Sequence, residues 1–165
     1  MIDVFIIATT TADGRIARHP DHAAIWSSRE DKKFFVERTK QAGVIVMGAK
    51  TFSTIGKALP GRVNIVYSPE PLNYPDIEIT SLPPADLLAS MEKRGFKELA
   101  ICGGTTIYTL FLKAGVVKTI YLTIEPKLFG EGLSLFNQEL DINLKLLSTQ
   151  QLNPDVLLLE YRVIT

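Results

Sequence analysis

The residues that most constrain this chain run from Gly43 to Arg62, GVIVMGAKTFSTIGKALPGR. The run Val44-Ile45-Val46-Met47 is short, apolar and β-branched, which predicts a strand buried on both faces. Gly48 follows, where the chain must turn tightly or let something approach its backbone. Lys50 and Thr51 then open a short helical pattern that ends at Ile55 and Gly56. Pro60-Gly61 turns the chain and delivers Arg62 to a second apolar strand, Val63 to Tyr67. A strand that feeds a helix N-terminus through glycine can hold a phosphate. It also describes an ordinary βαβ turn, so both readings stand at this point.

The remaining pattern repeats the alternation. Val4 to Ala8 reads as a central strand, and Thr9 to Ile25 as a long polar loop with turn signals at Asp13-Gly14 and His19-Pro20-Asp21. A loop of that length in a compact domain suggests a lid. Ser27 and Ser28 both stand three residues before an acid, Glu30 and Asp31, which is capping-box spacing for a helix running to about Gln41 and closed by Gly43. Ile77 to Thr80 alternates like a short strand, and Pro84 to Lys93 is an amphipathic helix ended by Gly95. Lys97 to Cys102 is a strand leading into Gly103-Gly104 and a helix from Thr105 to about Lys113. Val116 to Thr123 is another strand. Leu144 to Leu152 and Asp155 to Thr165 are two long strands joined at Asn153-Pro154. The expected fold is α/β: one domain over residues 1–165, a mostly parallel central sheet flanked by helices, and an antiparallel C-terminal hairpin at its edge.

Charge narrows the partners. Eighteen basic residues balance eighteen acidic ones, so no broad nucleic-acid or membrane surface is expected and an anionic ligand must be held by local charge. One cysteine, Cys102, excludes an internal disulfide and fits a reducing compartment. The first residues, MIDVFIIATT, carry no basic segment and too short an apolar run for a signal or a span, so the expected location is cytoplasmic; the expected state is a monomer. His19 and His22 have no ligand partners at metal spacing and read as solvated, and no metal site is expected. Cys102 at an apolar strand end reads as a small buried hydrophobe rather than a nucleophile.

Two features could carry chemistry. Gly103-Gly104 opens a helix, where bare backbone can approach a pyrophosphate, although a tight turn explains it equally well. Asp31 lies four residues before Phe35 on one helical face. If it faces an apolar pocket, its charge calls for a cationic or amidine-like ligand; if not, it is a helix N-terminal carboxylate satisfying the dipole.

Taken in order, these pieces resemble the dihydrofolate reductase family. The resemblance rests on Trp26, Asp31 and Phe35 at family spacing, on Met47-Gly48-Ala49-Lys50-Thr51-Phe52, on Leu59-Pro60-Gly61-Arg62, on Gly103 to Tyr108, and on Tyr121-Leu122-Thr123. It implies an oxidoreductase that reduces dihydrofolate with NADPH. Asp31 would bind the pterin with Thr123 supporting it, and Trp26 and Tyr108 would complete the catalytic set. Ile7, Ala8, Lys32, Phe35, Ile55, Leu59 and Cys102 would line the substrate pocket, and Arg62 would pair with the substrate's glutamate α-carboxylate. Ala8, Ile16, Gly48, Ala49, Lys50, Thr51, Tyr67, Ser68, Cys102, Gly103, Gly104, Thr105, Thr106, Ile107 and Tyr108 would contact the cofactor, across a Gly-Gly peptide that is cis in the family.

Departures accompany the match. Ile25 replaces the family's proline before the tryptophan, and Lys32 an apolar residue beside the acid. Ala49 and Thr106 stand where many members carry arginines for the NADPH 2′-phosphate, leaving Lys50 as the anion contact. Asp13-Gly14-Arg15-Ile16-Ala17 also looks like the related reductases of riboflavin biosynthesis, against which Asp31 and Arg62 argue. A nucleotide-binding protein of the same fold without activity is the third reading.

Overall fold

In the computed structural model, which describes residues 1–165 with the side chain of Ala24 excepted, strands and helices alternate along the chain. β1 (Asp3–Thr11) and β2 (Arg15–Ala17) precede α1 (Arg29–Ala42), β3 (Val44–Gly48), α2 (Ala49–Ile55), β4 (Val63–Tyr67) and β5 (Ile77–Thr80). α3 (Pro84–Lys93), β6 (Glu98–Ile101), α4 (Thr105–Lys113), β7 (Val117–Glu125), β8 (Leu133–Ser134), β9 (Asn143–Asn153) and β10 (Val156–Ile164) follow. Eight strands form one sheet in the order β5-β4-β3-β6-β1-β7-β10-β9. The run from β5 to β7 is parallel, while β10 is antiparallel to both β7 and β9. This is the expected α/β architecture with its terminal hairpin at one edge.

Alternation along the strands explains the layering. Val4, Ile6 and Ala8 of β1 and Val44 and Val46 of β3 pack with Leu87 and Met91 of α3 and Phe111 of α4. Phe5 and Ile7, with Ile45 and Met47, face the other way and pack with Phe52 of α2. All four residues Val44 to Met47 are 0% exposed, as a strand covered on both faces requires. The helix ends follow local chemistry. Ser28 caps α1 by accepting from the Asp31 N–H, and Gly43 closes it in the left-handed region at φ 83°.

The segment read as an irregular loop from Thr9 to Ile25 is more structured than expected. β1 continues to Thr11 because β7 lies beside it, pairing Thr9 with Thr123 and Thr11 with Glu125. β2 pairs with β8, and one 3₁₀ turn spans Ala24 to Trp26. β7 likewise runs two residues beyond the expected Thr123, to Glu125. Isolated residues cannot reveal such extensions, since each depends on a partner strand more than 100 positions away.

The β2–β8 contact gives a test. A Cβ on Gly132 (φ +136°) would sit 2.2 Å from the Ala17 carbonyl oxygen, whereas one on Gly130 (φ +74°) would meet nothing within 4 Å. Gly130→Ala is expected to cost about 1–2 kcal/mol, the ordinary penalty of a left-handed residue. Gly132→Ala adds a backbone collision and is expected to cost more and to release β2, measured by urea unfolding and by amide exchange at Ile16 and Ala17. Equal costs for the two would contradict this close approach.

Candidate functional site

The carboxyl ends of β1, β3 and β6 lie together because these strands are neighbours, the usual position of a ligand crevice in an open α/β sheet. A cavity of about 580 Å³ opens there, walled by α1, α2 and the loop between β2 and α1. That volume suits a small-molecule ligand.

Asp31, 6% exposed, lines this cavity. Its carboxylate accepts from the Thr9 hydroxyl at 2.7 Å. Among the described residues no Lys or Arg stands within 4 Å of it. A buried carboxylate with one neutral donor is costly until a cation or a set of donors reaches it. Asp31 does not cap its helix with its side chain, since Ser28 is the cap. Thr123, expected as the supporting hydroxyl, is 1% exposed and stands opposite Thr9 in the β1–β7 register. The hydroxyl that bonds Asp31 is Thr9's, which sequence reading missed because β1 was expected to end at Ala8.

Arg62 also lines the cavity. Its Nη1 donates to Thr39 Oγ1 at 2.9 Å and its Nε to the Pro60 carbonyl at 3.0 Å. Burial lowers its pKa from the ordinary value, and among the described residues no carboxylate lies within 4 Å. The turn that presents it is fixed by Asn64, 2% exposed, whose amide accepts from Leu59 N–H and donates to the Leu59 and Arg62 carbonyls. Asn64 was also missed: inside an apolar strand it carries no periodic signal.

Apart from these two charges the wall is mostly apolar. Of the residues singled out from sequence, Ile7, Ala8, Ile16, Trp26, Lys32, Phe35, Thr51, Ile55, Leu59, Cys102, Gly103, Gly104 and Tyr108 line the cavity with Asp31 and Arg62. Lys32 turns its ammonium outward to the Ile25 carbonyl at 2.9 Å. Burial pushes the Cys102 thiol up to about 12, so it stays protonated at neutral pH. Tyr108 is 4% exposed and donates its hydroxyl to the Ile7 carbonyl at 2.8 Å; burial raises its pKa well above the ordinary value. The Trp26 Nε1–H is buried without a partner.

The other expected contacts lie beside the cavity rather than in its wall. Gly48 N–H donates to the Gly103 carbonyl at 2.8 Å, so α2 and α4 begin next to each other. The Gly103–Gly104 peptide is cis. A Cβ on Gly48 would come 3.1 Å from the Ile107 side chain and one on Gly104 3.1 Å from Thr51 Oγ1, so a larger residue at either position would have to displace that side chain by a few tenths of an ångström. α4 has no side-chain cap, leaving its first N–H groups without side-chain acceptors. Lys50 is exposed and pairs with Asp21 at 3.3 Å. Ala49 adds no charge. Thr105 Oγ1 donates to the Ser134 carbonyl, Thr106 Oγ1 accepts from Asn137, and Ser68 Oγ donates to the Glu70 carbonyl. Tyr67 donates to the Leu82 carbonyl.

The segment expected to form a lid is tied to the residues around Phe129. Asp13 accepts from the Thr11 hydroxyl and from the Phe129 and Gly130 N–H groups, which lower its pKa to about 2. Arg18 stacks over Phe129 at 4.1 Å, Trp26 meets the same ring edge-on at 5.1 Å, and His22 lies 5.7 Å from it. His22, expected to be solvated, is half-buried in the cavity wall, with Nδ1 accepting from Arg18 N–H at 3.0 Å.

Comparison with known proteins gives a consistent pattern. The family model described as dihydrofolate reductase matches residues 3–150. The dihydrofolate reductase HdrB of Haloferax volcanii is 30% identical over 125 residues, covering 70% of this chain and 63% of that protein. Among solved structures, dihydrofolate reductase from Enterococcus faecalis complexed with NADP(H) and RAB-propyl superimposes with TM-score 0.79 at 23% identity, covering 98% of this chain and 96% of that one. A putative riboflavin biosynthesis protein from a Shewanella species superimposes with TM-score 0.81 at 20% identity, covering 99% of this chain and 100% of that one. At these identities the two structures share the fold. Among the described residues, no helix is long and apolar enough to cross a membrane.

His22 makes the lid's geometry testable by pH. Burial, then His19 and Arg18 beside it, lower its pKa from the ordinary 6.5. A folded-state pKa below the unfolded one adds stability that is present above about pH 6.5 and lost as pH falls through the folded value. Proton NMR is therefore expected to find His22 titrating below 6.5, with Arg18 amide protection lost over the same range. A His22 pKa at or above 6.5 would contradict the neutral, accepting imidazole.

Proposed function

Because the chain belongs to the dihydrofolate reductase family, we propose that it is a single-domain oxidoreductase, working as a cytoplasmic monomer, that reduces dihydrofolate to tetrahydrofolate with NADPH. The observation that carries this reading is the pairing, in one cavity, of a buried anion without a cation and a half-buried cation without an anion, Asp31 and Arg62. A pteroylglutamate complements both, since its ring amidine supplies donors at one end and its glutamate a carboxylate at the other.

The residues present fit the cofactor. The uncapped N-terminus of α4 and the close-packed glycines Gly48, Gly103 and Gly104 offer backbone donors to a pyrophosphate, with Lys50 the nearby cation for a further phosphate. When bound, NADPH supplies the hydride. Asp31 holds the pterin by its ring nitrogen and 2-amino group and fixes its face, with the Thr9 hydroxyl on its second lone pairs. Thr123 keeps another hydroxyl beside that pair. The Tyr108 hydroxyl is committed to Ile7, so its ring packs the strand end rather than moving a proton. The Trp26 N–H is free to hold a water between the lid and the substrate, where Asp31 can orient it toward the nitrogen to be protonated. Phe35, Ile55 and Leu59 exclude bulk water from the aryl portion.

A ribosylaminopyrimidine reductase is the second reading, favoured by Asp13-Gly14-Arg15-Ile16-Ala17, which here forms the lid's first anchor. The deciding assay follows NADPH absorbance with each substrate in turn. Oxidation with dihydrofolate and not with the ribosylaminopyrimidine is expected, and the reverse would overturn the proposal.

Arg62 supplies a sharper check. Losing a charge-assisted bidentate contact costs roughly 1.5–3 kcal/mol. Arg62→Gln is therefore expected to raise KM for dihydrofolate by about 10- to 100-fold while leaving a pterin without the glutamate nearly unaffected. Equal losses for both substrates would mean that Arg62 does not read the glutamate.

A further inference from the structure

Ser28 and Asp31 have capping-box spacing, and in such a box the acid at the third helical position folds back to accept the N-cap residue's own N–H. In α1 only half of that exchange occurs. Ser28 Oγ accepts from Asp31 N–H at 3.2 Å, but Asp31's carboxylate turns to Thr9 and the cavity. The donor it would otherwise take, Ser28 N–H, is occupied by Glu125 Oε1, and the Ser28 hydroxyl donates to Glu125 Oε2 at 3.0 Å.

Glu125 is 2% exposed at the end of β7, and among the described residues no basic side chain lies within 4 Å of it. Its charge is held by the first turn of α1, through two hydrogen bonds and the helix dipole. Glu125 and Thr123 alternate onto one face of β7, and Thr9 is Thr123's neighbour on β1, so two adjacent strands grip one helical turn at Ser28 and Asp31. By directing the Ser28 hydroxyl proton toward itself, Glu125 also leaves that oxygen's lone pairs facing Asp31 N–H.

We propose that Glu125 is a positioning residue: it supplies the capping-box acid from another strand and so releases Asp31's carboxylate to face the ligand. This deepens the proposed function and rests on it. Without Glu125, Ser28 N–H becomes a free donor, three residues from Asp31 and within its reach. Asp31 then folds back onto its own helix, α1 keeps a cap, and the ligand loses its anion.

The test uses a 2,4-diaminopyrimidine as an amidine-type probe of Asp31, titrated against the fluorescence of Trp26, the chain's one tryptophan. Glu125→Ala is expected to weaken probe binding on the order of 10-fold or more and to lower kcat/KM for dihydrofolate alike, as a displaced binding group does. NADPH affinity is expected to stay within about twofold, because α4 and its glycines are untouched. Glu125→Gln keeps a carbonyl oxygen for Ser28 N–H and is expected to recover most of the lost affinity. If Glu125→Ala does not fold, Glu125→Leu fills the volume and is expected to show the same ratio to Glu125→Gln. Probe affinity unchanged in the apolar variants, or probe and NADPH weakened equally in all three, would overturn the proposal. Absence of probe binding and of dihydrofolate turnover in the wild-type protein would overturn the functional reading as well, and is distinct from either result.

Discussion

A carboxylate inside an apolar cavity is the constraint on which this structure turns. Asp31 is 6% exposed and, apart from the N-terminal dipole of its own helix, has one neutral hydroxyl donor, so its charge is only partly compensated in the protein by itself. A ligand bearing an amidine would relieve it, and binding energy is then concentrated at one end of the substrate. The elements around it serve that arrangement. β1 brings Thr9, β7 brings Thr123 and Glu125, and the first turn of α1 is fixed to both strands. Arg62 stands as the complementary cation, presented by a turn that the buried Asn64 amide locks.

Fold and chemistry are separable here. A dihydrofolate reductase and a putative riboflavin biosynthesis protein superimpose on this chain about equally well, so the fold by itself does not choose the substrate. The proposed choice rests on Asp31 and Arg62, which line one cavity of that frame. The lid belongs to both parts of the account. Phe129 gathers Arg18, His22 and Trp26 onto one ring, and Asp13 and Arg15 tie the opposite end to residues 129–134.

Legibility in the sequence followed the range of the interactions. The layers, helix caps and glycine turns were readable because they depend on residues within a few positions: Val44 to Met47 as a strand, Gly43 and Gly56 as helix ends, Pro84 to Lys93 as a helix. Asp31 stood out because its spacing to Phe35 put both on one helix face, and both do line the cavity. Thr9, Asn64, Glu125 and Phe129 were not legible. The Thr9–Asp31 bond spans 22 positions and the Ser28–Glu125 bond 97, and neither leaves a periodic trace. His22 read as solvated in part for the same reason: besides its local partners Arg18 and His19 it meets the Phe129 ring, more than a hundred residues away.

The most direct test of this account is Asp31→Asn. Asn keeps the shape and can still accept from Thr9, and Ser28 remains the cap, so thermal stability is expected to change little or to rise. Steady-state turnover of dihydrofolate at neutral pH is expected to fall about 10²- to 10⁴-fold, with part of the loss returning at low pH, where the substrate's nitrogen is protonated before binding. Near-normal turnover at neutral pH would contradict the account and leave Asp31 as a carboxylate with no part in the chemistry.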